Sequence, residues 1–330
     1  MKKFLLMFVL LILAAFFLGP NKYFDPVEGE IKLLDIPLQD LDKYIADKEA
    51  KVKNIRPDNE SRIIWVDSLR KTPYSIVYLH GFSASWFEGN GVHIPFAERY
   101  GCNLYLPRLA QHGIQDKETF GNMTPQEYLD SAKEAIAIGQ LLGEKVIVMS
   151  CSTGSTLGIY LEAENPDLVA AQIMYSPNID LGFATSELLT LPWGGPIANQ
   201  LIGEYRDIRQ FHSKEDMQYI TAEYKTEGLI GLKALIEMTM TTKTFQKITK
   251  PYFVGYYYKN EEEKDNVISI EALLNFDKQT KTPAAEKRLV AFPDVKTHVV
   301  PNTVQSKDIA SVQTATFKYA EEVLGLNEKW

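Results

Sequence analysis

The sequence has few cysteines and no excess of basic residues. It contains only Cys102 and Cys151 among 330 residues. Two cysteines do not make a disulfide framework, and neither has the C-x-x-C or His-paired spacing of a metal or redox site. The net charge is -8, whereas a surface that binds nucleic acid needs a basic face for the phosphates. The composition therefore argues against a disulfide scaffold and against a nucleic-acid-binding protein.

The sequence also lacks the short motifs that bind common cofactors. It has no glycine-rich dinucleotide loop, no phosphate-binding loop and no H-E-x-x-H zinc motif. Internal repeats and low-complexity segments are absent as well. We therefore expect chemistry without a cofactor or a metal, in a chain whose 45% hydrophobic content supports a substantial core.

The one long apolar run lies near the N-terminus. Lys2 and Lys3 precede an uninterrupted apolar stretch from Phe4 to Leu18. This stretch is intermediate between the hydrophobic part of a signal peptide and the roughly 20 residues of a membrane-spanning helix. No A-x-A-like cleavage site follows it. We expect an exported protein, anchored in the membrane by residues 1–20, or secreted or periplasmic if that segment is cleaved.

After this segment, apolar runs alternate with helical patterns. A helix start is predicted at Thr124-Pro125-Gln126-Glu127, with Thr124 as N-cap, proline in the first turn and glutamate three residues after the cap. Such alternation is typical of a doubly wound, mostly parallel sheet, that is, of an α/β fold. The predicted strands are residues 62–66, 74–79, 103–106, the run before Ser152, 169–175, 251–257 and 288–292, and the predicted helices include 90–100 and 124–142.

One connection between strands is too long to be a plain loop. Some 75 residues, 176–250, separate two predicted strands and contain two helical patterns, so we interpret them as an insertion. The predicted division of the chain is a signal segment at 1–20, a linker with a leading helix at 21–60, a core formed by 61–176 and 251–330, and an insertion at 177–250.

Ser152 lies where an apolar strand turns into a helical pattern. In the nucleophile-elbow motif G-x-S-x-G, the residues two before and two after the serine must be small, because strand and helix approach closely there. Ser150 and Gly154 occupy these positions. Ser150 and Ser155 fit worse, because one of the two positions that must be small is Val148 for Ser150 and Leu157 for Ser155. Cys151 would not be presented by the turn. Ser152 is therefore the predicted nucleophile.

Other motifs occur in the order that accompanies such an elbow. The strand before His80-Gly81 runs into a tight turn upstream, and an acidic segment and then His298 follow downstream, which gives the order serine, acid, histidine. On these motifs the chain resembles the α/β-hydrolases, in particular the monoacylglycerol-lipase and carboxylesterase-like serine hydrolases, over roughly residues 60–325. This resemblance implies an α/β-hydrolase fold in which the insertion is a helical cap over the active site.

The base and the acid follow from this pattern. His298 is the only histidine after the last predicted strand, where the order requires the base; of the others, His80 follows a strand, His93 and His112 lie in predicted loops, and His212 lies in the insertion. The segment Asp265-Asn-Val-Ile-Ser269 resembles the family's segment that carries the acid. An additional run precedes it, so the acid is Asp265 or one of Glu261, Glu262 and Glu263.

The resemblance also indicates the groups that stabilise the oxyanion and the substrate class. By similarity, the oxyanion donors are the backbone N–H groups of Phe82 and Thr153. The implied function is a serine hydrolase that cleaves lipid-like or small acyl esters through an acyl-enzyme, with a small-molecule ester as partner and no protein partner. Apolar residues of the insertion suit an acyl chain or simply pack the cap: Leu181, Phe183, Leu188, Leu189, Leu191 and Trp193.

Two other functions fit the same sequence. Fold and triad do not fix the substrate, so a peptidase, an amidase or an acyltransferase is an alternative. A hydrolase scaffold without activity, used as a binding protein, is the other, although the intact set of Ser152, Asp265 and His298 argues against it.

Overall fold

The computed structural model describes residues 2–329. The N-terminal apolar segment forms helix α1 (Lys2–Phe17), and an irregular stretch leads to helix α2 (Leu41–Glu49). Apolar side chains of α1, among them Phe4 and Leu10, are exposed. Across residues 2–329, none of the helices combines the length and the apolar character that a membrane span requires.

A seven-stranded sheet forms the centre of the fold. Its order along the sheet is β1-β3-β2-β4-β5-β8-β9, and only β1 runs antiparallel to its neighbour. The predicted doubly wound, mostly parallel sheet is thus confirmed. Its strands are β1 (Arg62–Ile64), β2 (Thr72–Leu79), β3 (Asn103–Leu106), β4 (Gly143–Cys151), β5 (Ala171–Tyr175), β8 (Tyr252–Tyr257) and β9 (Lys287–Phe292).

Helices cover both faces of this sheet. Successive side chains of a strand point to opposite faces, so Val77 and Val148 pack with helix α4 (Pro125–Leu142) on one face. Ile76 and Ile147 pack on the other face with helices α3 (His93–Tyr100) and α10 (Ile309–Glu322). Burial on both faces explains why β2 and β4 are continuous apolar runs in the sequence.

The predicted start of α4 is confirmed. The Thr124 hydroxyl accepts a hydrogen bond from the Glu127 N–H at 3.1 Å, and Pro125 is the first helical residue. Proline costs nothing there because the first N–H groups of a helix have no partner inside it. The helix predicted at 90–100 corresponds to α3. His93 is its first residue, so the separate assignment of His93 to a loop is wrong, and Gly101 ends the helix in the left-handed conformation at φ 65°.

Helix α5 (Thr153–Glu164) connects β4 to β5, and helix α9 (Ile270–Gln279) lies between β8 and β9. The α-helices and strands between β5 and β8 are α6 (Gly194–Ile202), β6 (Tyr205–Asp207), β7 (Glu223–Lys225), α7 (Glu227–Thr239) and α8 (Thr242–Phe245). Strands β6 and β7 form an antiparallel pair that the sequence did not predict.

Polar contacts stabilise this insertion and connect it to the sheet domain. Within the insertion, the amine of Lys233, 3% exposed on its side chain, lies 2.9 Å from Asp180 and 2.6 Å from Glu187. The Thr221 N–H donates to the Ser83 carbonyl at 2.6 Å. The insertion is thereby held over the carboxyl ends of the parallel strands, where open α/β sheets bind their ligands.

Candidate active site

The predicted elbow has the backbone conformation that the motif requires. Strand β4 ends at Cys151, helix α5 begins at Thr153, and Ser152 between them adopts φ 51° and ψ -121°. A non-glycine residue in this region is strained, and such strain is found mainly at functional sites. The Ser152 side chain is thereby presented at the end of the strand.

The two positions of the elbow that must be small, 150 and 154, differ in the residues they can accept. A Cβ at Gly154 would lie 1.9 Å from the Leu79 carbonyl oxygen, so only glycine fits. Ser150 is fully buried, and its hydroxyl is hydrogen-bonded to that of Ser155 at 2.9 Å. A serine can therefore replace the first glycine of the motif, because it is small and its hydroxyl has a hydrogen-bond partner.

His298 and Asp265 are brought together by neighbouring strands. Asp265 follows β8 and His298 follows β9, and the two strands are adjacent in the sheet. The His298 Nδ1–H donates to Asp265 Oδ2 at 2.6 Å. The other carboxylate oxygen accepts the Val267 N–H at 2.9 Å, so the carboxylate is fixed in position. This arrangement orients the imidazole and leaves Nε2 for chemistry.

The electrostatics of the pair favour an ionised acid and a basic histidine. Burial would raise the pKa of Asp265, but the His298 charge and the hydrogen bonds to the carboxylate hold that pKa below its usual value. Burial would likewise lower the pKa of His298, whereas Asp265 and, more weakly, Glu88 raise it above 6.5. Opposite charges in a partly buried site explain both directions.

Two backbone N–H groups close to Ser152 have no acceptor in the described part of the chain. Within residues 2–329, neither the Phe82 nor the Thr153 N–H donates a hydrogen bond to another protein group. A Cβ at Gly81 would lie 3.1 Å from the Ser152 Cβ, which shows how closely the Gly81-Phe82 segment approaches the serine. Free donors next to a serine are the requirement of an oxyanion site.

Comparison with solved structures identifies the fold. A metagenome-derived lipolytic enzyme, from work on the two enzymes LipS and LipT, matches with a TM-score of 0.62 and 12% identity over 80% of this chain and 98% of that chain. A monoacylglycerol lipase from Paleococcus ferrophilus matches with a TM-score of 0.55 and 12% identity, over 78% of this chain and 96% of that chain. A peroxisomal alpha-beta-hydrolase from Saccharomyces cerevisiae matches with a TM-score of 0.51 and 13% identity, over 76% of this chain and 78% of that chain.

The chain has the α/β-hydrolase fold. At these identities the likeness concerns the fold and not the activity. No protein-family model and no curated protein sequence matches the chain.

Within this α/β-hydrolase fold, Ser152, Thr153, Phe82 and His298 line one cavity of about 590 Å³. No hydrogen bond joins the Ser152 hydroxyl to His298 among the described residues. Such contacts are often loose in the free enzyme and tighten when substrate binds.

The insertion supplies most of the apolar wall of the cavity. Of the apolar residues singled out in the sequence, four line the cavity: Leu181, Phe183, Leu188 and Leu189. Leu191 and Trp193 do not line it. The Trp193 indole N–H donates instead to the Ala15 carbonyl at 3.1 Å, so this residue contacts helix α1.

The acidic run before Asp265 forms a surface excursion. The Lys259 N–H donates to the Glu263 carbonyl at 2.9 Å, and the chain then returns so that the Asp265 N–H donates to the Tyr257 carbonyl at 3.0 Å. Glu261 and Glu263 are exposed or nearly so and form ion pairs with lysines. Asp265 therefore lies directly beside the end of β8, although eight positions separate it from Tyr257.

The other candidate residues have other environments. His80 and His112 are buried and bound to backbone groups, with burial lowering the pKa of each. His212 also lines the cavity, but it donates to no carboxylate within residues 2–329. Burial raises the pKa of the Cys151 thiol well above its usual value, which keeps it protonated and unreactive.

One further carboxylate lies at the site, that of Glu88, and no sequence motif indicates it. It lines the cavity, is only 8% exposed and accepts the Gly81 N–H at 2.8 Å. A single glutamate among apolar and small residues has no recognisable spacing, so only the folded structure places it here. In the described part of the chain, no cluster of three or more His, Cys, Asp or Glu side chains could hold a metal ion.

Proposed function

We propose that the protein is a serine hydrolase that cleaves carboxylic esters through an acyl-enzyme. The observation that carries this proposal is the 2.6 Å pair of His298 and Asp265, with the histidine lining the same cavity as the strained Ser152. A serine hydroxyl becomes nucleophilic when a base removes its proton and a third group orients that base.

In the proposed reaction, His298 Nε2 takes the proton of the Ser152 hydroxyl as the oxygen attacks the ester carbonyl. The N–H groups of Phe82 and Thr153 bind the oxyanion that forms. When the tetrahedral intermediate collapses, His298 returns the proton to the leaving alkoxide, and the alcohol departs. Water then attacks the acyl-enzyme by the same steps, which releases the acid and restores Ser152.

The cavity supports an ester with an apolar acyl group as the substrate. Its walls carry many aliphatic and aromatic side chains and few polar ones, and each buried methylene of a ligand contributes about 0.8 kcal/mol. Three solved structures of similar fold belong to lipolytic enzymes or monoglyceride lipases. We infer that acyl chains of more than a few carbons are preferred to acetyl esters.

A fluorophosphonate probe and a substrate panel test this proposal together. The probe should label Ser152 in the wild-type protein and not in Ser152→Ala. The panel consists of p-nitrophenyl esters of increasing chain length and peptide arylamides. Labelling with hydrolysis of arylamides alone would favour the peptidase or amidase alternative. Absence of labelling and of hydrolysis would overturn the proposal and favour a binding protein.

We also propose that the protein is exported. The support is Lys2-Lys3 before the apolar run that forms α1, which has the arrangement of an export signal. Expression with a C-terminal tag, cell fractionation and N-terminal sequencing test this. Mature protein that begins beyond Leu18 indicates cleavage, carbonate-resistant full-length protein indicates an anchor, and full-length protein confined to the cytoplasm contradicts export.

A further inference from the structure

Glu88 is a buried carboxylate that the proposed reaction does not use. It lies in the short 3-10 turn Trp86–Gly89, after the His80-Gly81 loop. One of its oxygens, Oε2, accepts the Gly81 N–H at 2.8 Å and the Tyr78 hydroxyl at 3.0 Å. Two hydrogen bonds on one oxygen fix the carboxylate and, with it, the peptide that precedes Phe82.

The other oxygen, Oε1, lies close to the same glycine as the nucleophile. A Cβ at Gly81 would be 2.7 Å from Glu88 Oε1 and 3.1 Å from the Ser152 Cβ. Glu88 and Ser152 thus both lie against Gly81. This explains independently why position 81 is a glycine.

Several titratable groups face Glu88 from the elements packed around it. They are Tyr78 from β2, Tyr128 from α4, Cys151 from β4 and His298 from the loop after β9. Among residues 2–329, no lysine or arginine forms an ion pair with Glu88. His298 is therefore the one group among those facing Glu88 that becomes positively charged.

The charge of Glu88 develops near neutral pH. Burial raises its pKa to about 7, although the Gly81 N–H, the Tyr78 hydroxyl and His298 act in the opposite direction. Above this pH the carboxylate is an anion that is only 8% exposed, and charges interact more strongly at a buried position than in solvent.

We propose that Glu88 is a positioning residue of the active site: it holds the Gly81 peptide beside the oxyanion donor and, when ionised, stabilises the imidazolium of His298. Asp265 contacts the ring directly, whereas Glu88 acts on it through space. Above the pKa of His298 the resting base is neutral, and the imidazolium forms only as Ser152 loses its proton. In that pH range the stabilisation therefore belongs to the transition state and should affect kcat more than KM. The inference rests on the proposed function.

Glu88→Gln is the informative variant because it keeps the shape and an oxygen for the Gly81 N–H but removes the charge. Glu162→Gln is the matched control. Glu162 is fully buried, and burial likewise raises its pKa to about 7, but it is bonded to Gln172 in the core and does not line the cavity. Each glutamate has a pKa that is higher in the folded than in the unfolded state, so its ionisation lowers the stability of the wild type as the pH rises from about 4.5 to 7. Glutamine cannot ionise. The melting temperature of each variant should therefore increase relative to that of the wild type as the pH rises through this range.

The kinetics should separate the two variants. Glu88→Gln should lower kcat by about tenfold, the equivalent of one pKa unit, with little change in KM, and should lower the pKa of the basic group in the pH profile of kcat/KM. Glu162→Gln should match wild type in both. Glu88→Asp keeps the charge, so the pKa of the basic group should lie between the values for Glu88→Gln and wild type. Wild-type kinetics in Glu88→Gln, or equal losses in both variants, would overturn the inference while ester hydrolysis by the wild type stands.

An NMR titration of the His298 ring provides a readout that needs no turnover. The pKa of His298 should be lower in Glu88→Gln than in wild type and unchanged in Glu162→Gln. An unchanged pKa in Glu88→Gln contradicts the role of Glu88 whether or not the protein hydrolyses esters. If instead the wild type fails to label with fluorophosphonate or to hydrolyse esters, the proposed function fails, and the catalytic role of Glu88 fails with it.

Discussion

The backbone N–H of Asp265 donates to the carbonyl of Tyr257 at 3.0 Å, so the aspartate is anchored to the last residue of strand β8. Its side chain, 0% exposed, reaches His298 at 2.6 Å from this fixed point. An acid held by both backbone and side-chain contacts is preorganised, and it loses little entropy when the histidine changes its charge.

Replacement of Asp265 by Asn should therefore affect turnover far more than stability. The Val267 N–H needs the amide oxygen as its acceptor, so the NH2 group faces Nδ1 and favours the wrong tautomer of the ring. A loss of about 10⁴ in kcat is expected for such a change. Steady-state kinetics measure this. The controls Glu261→Gln, Glu262→Gln and Glu263→Gln should each be nearly silent, because exposed ion pairs contribute little. If one glutamate variant lost most of its activity while Asp265→Asn remained active, that glutamate and not Asp265 would be the acid.

Ser152→Ala should abolish ester hydrolysis and leave the fold intact. Only a hydroxyl is removed from a turn that is already strained, and residual catalysis of at most about 10³- to 10⁴-fold over water is expected from the oxyanion donors. Circular dichroism and ester hydrolysis measure the two effects. Ser131→Ala in α4, which removes the hydroxyl bonded to Ala110, is the control and should remain active. Near-normal activity of Ser152→Ala would refute the assignment.

The pH profile of kcat/KM should report the raised pKa of His298. A general base must be neutral, so the rate should rise with pH and level off above an apparent pKa higher than 6.5. In Asp265→Asn the raising effects of the carboxylate are lost while burial remains, so the apparent pKa should decrease. A rise centred below 6.5 in the wild type would contradict the pairing.

The cavity should determine the preferred acyl chain. Leu229 lines it from α7, and Leu229→Trp should fill part of its volume. The value of kcat/KM for long-chain p-nitrophenyl esters should decrease more than tenfold, because several methylenes, each contributing about 0.8 kcal/mol, lose their site. Acetyl esters should be affected little. Leu274→Trp on exposed α9 is the control, and equal losses on short and long esters would argue against an acyl site.

Gly154→Ala should destabilise the fold severely. The new Cβ would meet the Leu79 backbone oxygen at 1.9 Å, and neither chain can move without breaking the sheet, so we expect a loss of more than about 3 kcal/mol. Chemical denaturation or soluble yield measures it. Gly325→Ala is the control: its φ is +66°, but no atom lies within 4 Å, so it should cost only about 1 kcal/mol.

The sheet could be predicted from the sequence because its strands have local signals. Strand β4 is a continuous β-branched run, and α4 begins with a side-chain cap and a proline, each of which acts within a few residues. The elbow was predictable for the same reason, since its steric requirement concerns only residues within two positions of Ser152.

The features that escaped prediction depend on distant contacts. Strands β6 and β7 are three residues each and pair across a long loop, so neither has a period of its own. The sequence predicts that Trp193 either suits an acyl chain or packs the cap, whereas its indole N–H donates to a carbonyl in α1. Glu88 lies in a short turn that brings its carboxylate to the Gly81 N–H, and no local sequence pattern predicts this contact.

The chain of the surface excursion, residues 259–264, leaves β8 and returns to the same point, so the number of residues in the excursion does not set the position of the aspartate. The loop can therefore be lengthened or shortened without moving the acid, which makes spacing along the chain a poor guide to it. For the same reason, the loop is a suitable place to insert a fluorophore or an affinity tag that reports on the active site from about two strands away.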